Sequence, residues 1–179
     1  MPITTIIPPI LETLTLLSDI ALILLLIVFL IKLTSKKKIP FLDNVWSKIK
    51  KHALLLALIV AFTATLGSLF YSEILGYNPC RLCWYQRIFM YPMSILFVVA
   101  FIKKDKKISN YAIPLSVIGG AISLYHYFIQ RADYASTCSA DAAVPCTIKY
   151  TFAYGYITIP MMALTAFILI IILSWVNRK

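Results

Sequence analysis

The chain has 179 residues; 61% of them are drawn from AVILMFWYC and only 13% are charged. A water-soluble domain is about 45–50% apolar and about 25% charged, so a disordered chain, a typical cytosolic enzyme and a secreted mini-protein are excluded, and a compact membrane protein is indicated. The net charge of +10 suits either a nucleic-acid partner or basic loops beside a membrane, and the placement of the charges decides between them.

Five apolar stretches follow in chain order: about Ile10 to Leu33, Ala53 to Tyr71, Trp84 to Ile102, Tyr111 to Ile129 and Phe152 to Val176. Each approaches the ~20 residues that a helix needs to cross the hydrocarbon core. Backbone groups in lipid must pair within the chain, and the alternation of a membrane barrel is absent, so helices are expected. The N-terminus has no basic n-region and no evident small-residue cleavage site, so the first span is read as a retained helix. Asp19, inside that span, is read as a carboxylate near the outer interface facing neighbouring helices.

The basic residues separate by side. Lys32, Lys36, Lys37, Lys38, Lys48, Lys50 and Lys51 follow span 1; Lys103, Lys104, Lys106 and Lys107 follow span 3; Arg178 and Lys179 follow span 5. These are 13 of the 17 Lys and Arg, all on one side if the spans alternate, against Arg81, Arg87, Arg131 and Lys149 on the other. The positive-inside rule then predicts an outer N-terminus and a cytoplasmic C-terminus. Glu12, Asp19, Glu73, Asp133 and Asp141 lie on or toward the outer side. Aromatic residues for base stacking are almost absent from the Lys-rich loops, so no nucleic-acid partner is expected.

All four cysteines, Cys80, Cys83, Cys138 and Cys146, fall in the two outward loops, about Ser72 to Cys83 and Gln130 to Thr151. Free structural cysteines are usually buried as small hydrophobes, whereas an extracytoplasmic face permits disulfides. Four cysteines allow three connectivities, and spacing alone does not choose. Three readings compete. Structural staples suit the C-x-x-C poorly, because closing so short a loop constrains the unfolded chain little. A zinc tetrathiolate lacks tight spacing in the second pair. A relay of exchangeable thiol pairs suits both placement and surroundings. Cys83 stands at or just before the N-terminus of span 3, where unpaired N–H groups and the helix dipole favour a thiolate. Arg87, one turn deeper on the same face, favours it further and is placed to hold an oxygen of an electron acceptor. No haem ligand pair, flavin fingerprint or nucleotide loop is present, so a membrane quinone, menaquinone or ubiquinone, is the expected acceptor, without metal or nucleotide.

The stretch Gly76-Tyr77-Asn78-Pro79-Cys80-Arg81-Leu82-Cys83-Trp84-Tyr85-Gln86-Arg87-Ile88-Phe89-Met90-Tyr91-Pro92 resembles the signature of the DsbB family, and more closely its BdbC branch, the bacterial disulfide formation proteins. Leu124-Tyr125-His126-Tyr127, Val144-Pro145-Cys146 and Gly155-Tyr156-Ile157-Thr158-Ile159-Pro160 agree with it, and the resemblance spans about Ala53 to Val176. It implies an all-α membrane protein: a four-helix redox domain over 53–179, preceded over 1–52 by an extra N-terminal transmembrane helix and a Lys-rich cytoplasmic loop. It implies a protein-disulfide:quinone oxidoreductase of the cytoplasmic membrane. Such an enzyme reoxidises an extracytoplasmic DsbA-like, thioredoxin-fold thiol oxidase and so supports disulfide formation in exported proteins. By position, Cys80–Cys83 is the quinone-proximal disulfide, with Cys83 touching the quinone and Arg87 assisting. Cys138–Cys146 is the pair that meets the partner, Cys138 forming the mixed disulfide and Cys146 exchanging with Cys80.

Two features depart from the family pattern: the extra first span, and Arg81-Leu82 between the cysteines. His126 and Gln130, four residues apart at the outer end of span 4, are candidate linings of the quinone pocket. Gly119 and Gly120 are expected to permit close helix packing, and Pro92 and Pro160 to kink spans 3 and 5. A metal-binding scaffold and a reductase relay exporting electrons are the competing classes; the latter calls for cysteines within or inside the membrane, and this chain has none.

Overall fold

The computed structural model describes residues 3–34, 40–132, 138 and 144–178. Five long helices follow in order: α1 (Ile3–Thr34), α2 (Pro40–Leu69), α3 (Arg81–Lys103), α4 (Ser109–Ala132) and α5 (Ile159–Arg178). Each contains a stretch long and apolar enough to cross a membrane, and the chain is a multi-pass membrane protein. Among the described residues the only β-type pairing is an isolated bridge between Ala153 and Ile157.

Two boundaries differ from expectation. The segment expected as the end of a Lys-rich loop is helical from Pro40 and continuous with span 2. Proline is well suited to the first helical position, where its missing N–H would be unpaired in any case. Lys48, Lys50 and Lys51 therefore sit exposed on the first turns of α2. Lys36, Lys37, Lys38, Lys179, Asp133 and Asp141 lie outside the described residues. Span 5, expected from Phe152, becomes helical only at Ile159. Residues 153–157 form a tight turn instead, with Gly155 at φ +79° and the Ala153 N–H donating to the Ile157 carbonyl at 2.9 Å. Pro160 thus falls in the first turn of α5 and starts this helix without kinking it. Pro92 lies inside α3.

Helices α2 to α5 share one core, built around Ala57 and Ala61 of α2, Met93 and Phe97 of α3, and Phe167 and Ile170 of α5. Lipid tails are as apolar as these side chains, so close backbone approach and polar ties hold such bundles together. Both are present. Ser94 donates to the Ala61 carbonyl at 2.9 Å and shares a 2.7 Å hydrogen bond with Thr65, tying α3 to α2. Asn177 donates to Ser109 at 3.0 Å, tying α5 to α4. Where α4 meets α5, the Phe167 ring occupies the space that a Cβ on Gly119 would need.

α1 lies on the outside of this bundle, with Ile3, Ile10, Leu17 and Ile23 exposed for lipid. The deeper of its two carboxylates, Asp19, faces inward: it accepts from Thr165 of α5 at 2.6 Å and from the Tyr156 hydroxyl at 3.0 Å.

Gly119→Ala should lower thermal stability in detergent by about 1–3 kcal/mol through overpacking against Phe167. Gly120→Ala should be nearly neutral, since its Cβ would meet only Phe167 Cβ at an ordinary 3.5 Å. Equal melting temperatures for the two variants would contradict this packing.

Candidate functional site

The site is built at one end of the bundle, where α2 and α4 finish and α3 and α5 begin. α2 continues into a π-helical turn, Phe70–Ile74, which buries Phe70 and Tyr71. The chain then runs through Pro79 to Cys80, the extended N-cap of α3 (φ −70°, ψ 171°). A helix start leaves backbone N–H groups unpaired, and here a thiol takes the role usually filled by Ser, Thr, Asp or Asn. The Cys80 sulfur accepts from the Cys83 N–H at 3.4 Å and lies 3.1 Å from the Cys83 sulfur, both cysteines being free thiols.

Cys138 and Cys146 form a disulfide. Cys80, Cys138 and Cys146 pack with Leu82 and Ile129 into one buried cluster against which Cys83 and Val144 rest. The two loops are joined elsewhere too. Tyr150 stacks on Tyr77 with ring centroids 4.6 Å apart and donates to the Asn78 carbonyl at 3.1 Å. Gln130 donates to the Ile148 carbonyl at 2.8 Å.

His126, 1% exposed, is the polar centre of the cluster. The Gln86 amide N–H donates to its Nδ1 at 3.0 Å, which leaves the ring proton on Nε2. Nε2 lies 3.0 Å from the Cys146 carbonyl and 3.6 Å from the Cys80 sulfur. One imidazole therefore touches both cysteine pairs. The Cys80 thiol is held well below the usual thiol range; hydrogen bonding from Cys83 is the largest cause, burial opposes it, and His126 lowers it further. Sequence reasoning assigned the favoured thiolate to Cys83. The structure favours Cys80, because its sulfur is the cap and collects the donors.

Cys83 borders the small void that Cys80 and His126 line and also opens on a larger one. It lines a cavity of about 360 Å³ together with Gln86, Arg87, Tyr71 and residues of α1, α2 and α5. Arg87 donates to the Ser68 hydroxyl at 3.0 Å and the Ser68 carbonyl at 3.1 Å, and its guanidinium lies over the rings of Trp84 and Tyr91. The expected neighbourhood of Cys83 and Arg87 is thus a shared cavity wall. His126 and Gln130, expected to line a quinone pocket, are not among the residues of this cavity; they line a small void that Cys80 and Cys83 share. Tyr71 was not singled out in the sequence, where it reads as an interfacial aromatic at the end of a span. Cys80, Cys83 and His126 also offer ligand atoms within 4.8 Å of one another, a geometry open to a soft cation.

In the reduced Cys138→Ala, Cys146→Ala variant, the ultraviolet absorbance of the Cys80 thiolate should be present at neutral pH. It should disappear only as pH falls through the depressed value. Cys83→Ala should shift this titration upward most, and His126→Phe less. A titration already in the ordinary thiol range would contradict the assignment.

A match to the family described as Disulfide bond formation protein DsbB covers residues 50–177. The chain is 48% identical over 133 residues to Probable disulfide formation protein C 1 of Bacillus cereus, covering 74% of this chain and 96% of that protein. It is 43% identical over 129 residues to Probable disulfide formation protein C of Halalkalibacterium halodurans, covering 72% and 94% respectively. With Disulfide bond formation protein C of Bacillus subtilis it shares 44% identity over 115 residues, 64% of this chain and 83% of that protein. No solved structure matches the chain. With its cysteines gathered at one end of a helical bundle, the chain belongs to the DsbB family of disulfide bond formation proteins.

Proposed function

We propose that this protein is a membrane thiol:quinone oxidoreductase that reoxidises an extracytoplasmic thioredoxin-fold thiol oxidase. The observation that carries the reading is the burial of Cys80, Cys138 and Cys146 in one cluster, with the fourth cysteine, Cys83, packed against it and opening onto a large cavity. Electrons then have a path from the second loop to the cavity without leaving the protein.

The exchange balances in three steps. A thiolate of the reduced partner attacks Cys138, giving a mixed disulfide and releasing Cys146; the partner's second thiol resolves it, so the partner is oxidised and Cys138–Cys146 reduced. Cys138 is 8% exposed and Cys146 1%, which suits Cys138 to the attack. The Cys146 thiolate next attacks Cys80 of an oxidised Cys80–Cys83 pair, and Cys138 resolves that bond, regenerating Cys138–Cys146. His126, between the Cys80 sulfur and the Cys146 carbonyl, orients the two chains for this step and stabilises the thiolate on Cys80. Cys80–Cys83 is then a dithiol, and two electrons and two protons leave from it toward the cavity.

A bound quinone supplies the two-electron, two-proton sink. The residues present fit such a group. Arg87 offers cationic donors, and the Tyr71 hydroxyl is buried without a hydrogen-bond partner among the described residues, so both suit carbonyl oxygens. The rest of the wall is largely aliphatic, which suits a lipid tail. The proposed orientation has the cysteine loops outside, supported by the charge asymmetry. Lys103, Lys104 and Arg178 stand at the bundle end opposite the cysteines.

Purified protein given a reduced thioredoxin-fold partner and quinone should consume two thiols, one partner dithiol, for each quinone reduced. Cys83→Ser should return the rate to background. Arg87→Ala should raise the KM for quinone roughly tenfold or more, since a lost hydrogen bond to a charged group costs ~1.5–3 kcal/mol. Turnover surviving in Cys83→Ser would overturn the mechanism. In intact cells, a membrane-impermeant thiol reagent should trap the cysteines only when quinone is depleted. A second reading, metal binding by Cys80, Cys83 and His126, predicts instead stoichiometric zinc on the reduced protein and thiol states indifferent to quinone.

A further inference from the structure

The family match begins at residue 50, which leaves α1 outside it. Yet α1 is not peripheral to the cavity. Leu11, Leu14, Thr15 and Ser18 line it, a set spaced i, i+3, i+4, i+7 and therefore on one helical face. The facing stripe of α2 is Ile59, Val60, Thr63, Ala64 and Gly67, also on one face, and extends ~12 Å along the helix at 1.5 Å per residue. Met162, Ala163 and Ala166 of α5 complete the groove. Cys83, Arg87 and Tyr71 stand at its loop end.

Three contacts hold α1 in this place. Asp19 accepts hydrogen bonds from Thr165 and Tyr156. Thr13 shares a 3.2 Å hydrogen bond with the Tyr154 hydroxyl. Leu11 packs over Gly67 so closely that a Cβ there would lie 3.3 Å from it. A carboxylate in a membrane helix is costly, and this one is satisfied by α5 and by the turn before it. The Thr15 hydroxyl is satisfied within its own helix by the Leu11 carbonyl at 2.8 Å. The face turned to the groove thus presents Leu11 and Leu14 beside two small hydroxyl residues. Among the cavity residues, the one fully buried side-chain polar atom without a hydrogen-bond partner is the Tyr71 hydroxyl, in a side chain 4% exposed, and it points to a ligand with an oxygen acceptor at that end.

We propose that α1 is a fifth wall of the acceptor cavity, its Leu11, Leu14, Thr15 and Ser18 face closing the groove of α2 and α5 over the isoprenoid chain of a quinone whose headgroup lies at Cys83 and Arg87. This rests on the quinone reading above. Without α1, the same stripe of α2 would face lipid, and the tail would be held on one side only. The extra helix therefore sets which tails are retained and how tightly.

The test is photolabelling of the full-length wild-type protein in membranes with a quinone carrying a diazirine on its isoprenoid tail. Labelled peptides are mapped by mass spectrometry with and without excess unlabelled quinone. Labelling at residues 11–18 that the unlabelled quinone suppresses, together with suppressible labelling at 59–67, is expected. Suppressible labelling on α2 and α5 but not on α1 overturns the fifth wall and leaves the quinone reading standing. No suppressible labelling anywhere overturns both. As a second readout, Ser18→Phe should reduce the quinone that co-purifies with the protein by about tenfold. Leu17→Phe, on the lipid side of the same helix at 57% exposure, should not. Undiminished retention in a folded Ser18→Phe variant would also overturn the inference.

Discussion

The N-terminus of α3 must be capped at the edge of a membrane, where water is scarce, and the group that caps it is a thiol. By accepting the Cys83 N–H, the Cys80 sulfur is fixed on the side of the helix that faces α4 and the second loop. His126 reaches it there while holding the Cys146 backbone. Three residues later, with its sulfur only 3.1 Å away, Cys83 borders both that side and the large cavity. The division of labour between the two cysteines of the pair follows from this cap. A residue without a sulfur at position 80 would still start the helix, but the contact from His126 to the first cysteine pair would be lost.

Around this point the bundle uses the two devices available when the solvent is itself apolar. Small residues bring α2, α4 and α5 close, and short polar ties set their register. The same economy governs α1, where Asp19 is bonded to α5 and the turn before it. The cavity lies where these devices leave a gap between α1, α2 and α5, and its loop end carries the cation, the thiol and the unpartnered phenol. In the proposed reaction, the exchange of sulfurs occurs on the α4 side of α3, and the electrons leave on the α1 side.

Much of this was legible in one dimension. Five runs of apolar residues translate directly into five helices, since lipid leaves the backbone no other way to pair its groups. The boundaries were less legible. Pro160 read as a kink yet stands where a helix begins, the residues from Pro40 read as loop yet are helical, and the turn at 153–157 is made of residues apolar enough to pass for a span. Cys80, Cys83, Cys138, Cys146 and Arg87 announced themselves by type and spacing. Tyr71 did not, because an aromatic at a membrane interface is commonplace; only its missing partner marks it.

By itself, the sequence determined the class of protein, the number of spans, the placement of all four cysteines in the two loops at one end and the family. Each of these depends on composition, periodicity or local motif, which the chain carries residue by residue. Only the tertiary structure decided that His126 meets Cys80 and Cys146 and does not line the large cavity, that Cys83 and not Cys80 opens onto that cavity, and that α1 lines it. Those facts depend on the rotation of each helix about its axis and on which neighbours it meets. In a bundle apolar on nearly every face, hydropathy does not encode that rotation; close packing at positions such as Gly119 and Gly67, and paired polar groups such as Asp19 with Thr165, set it.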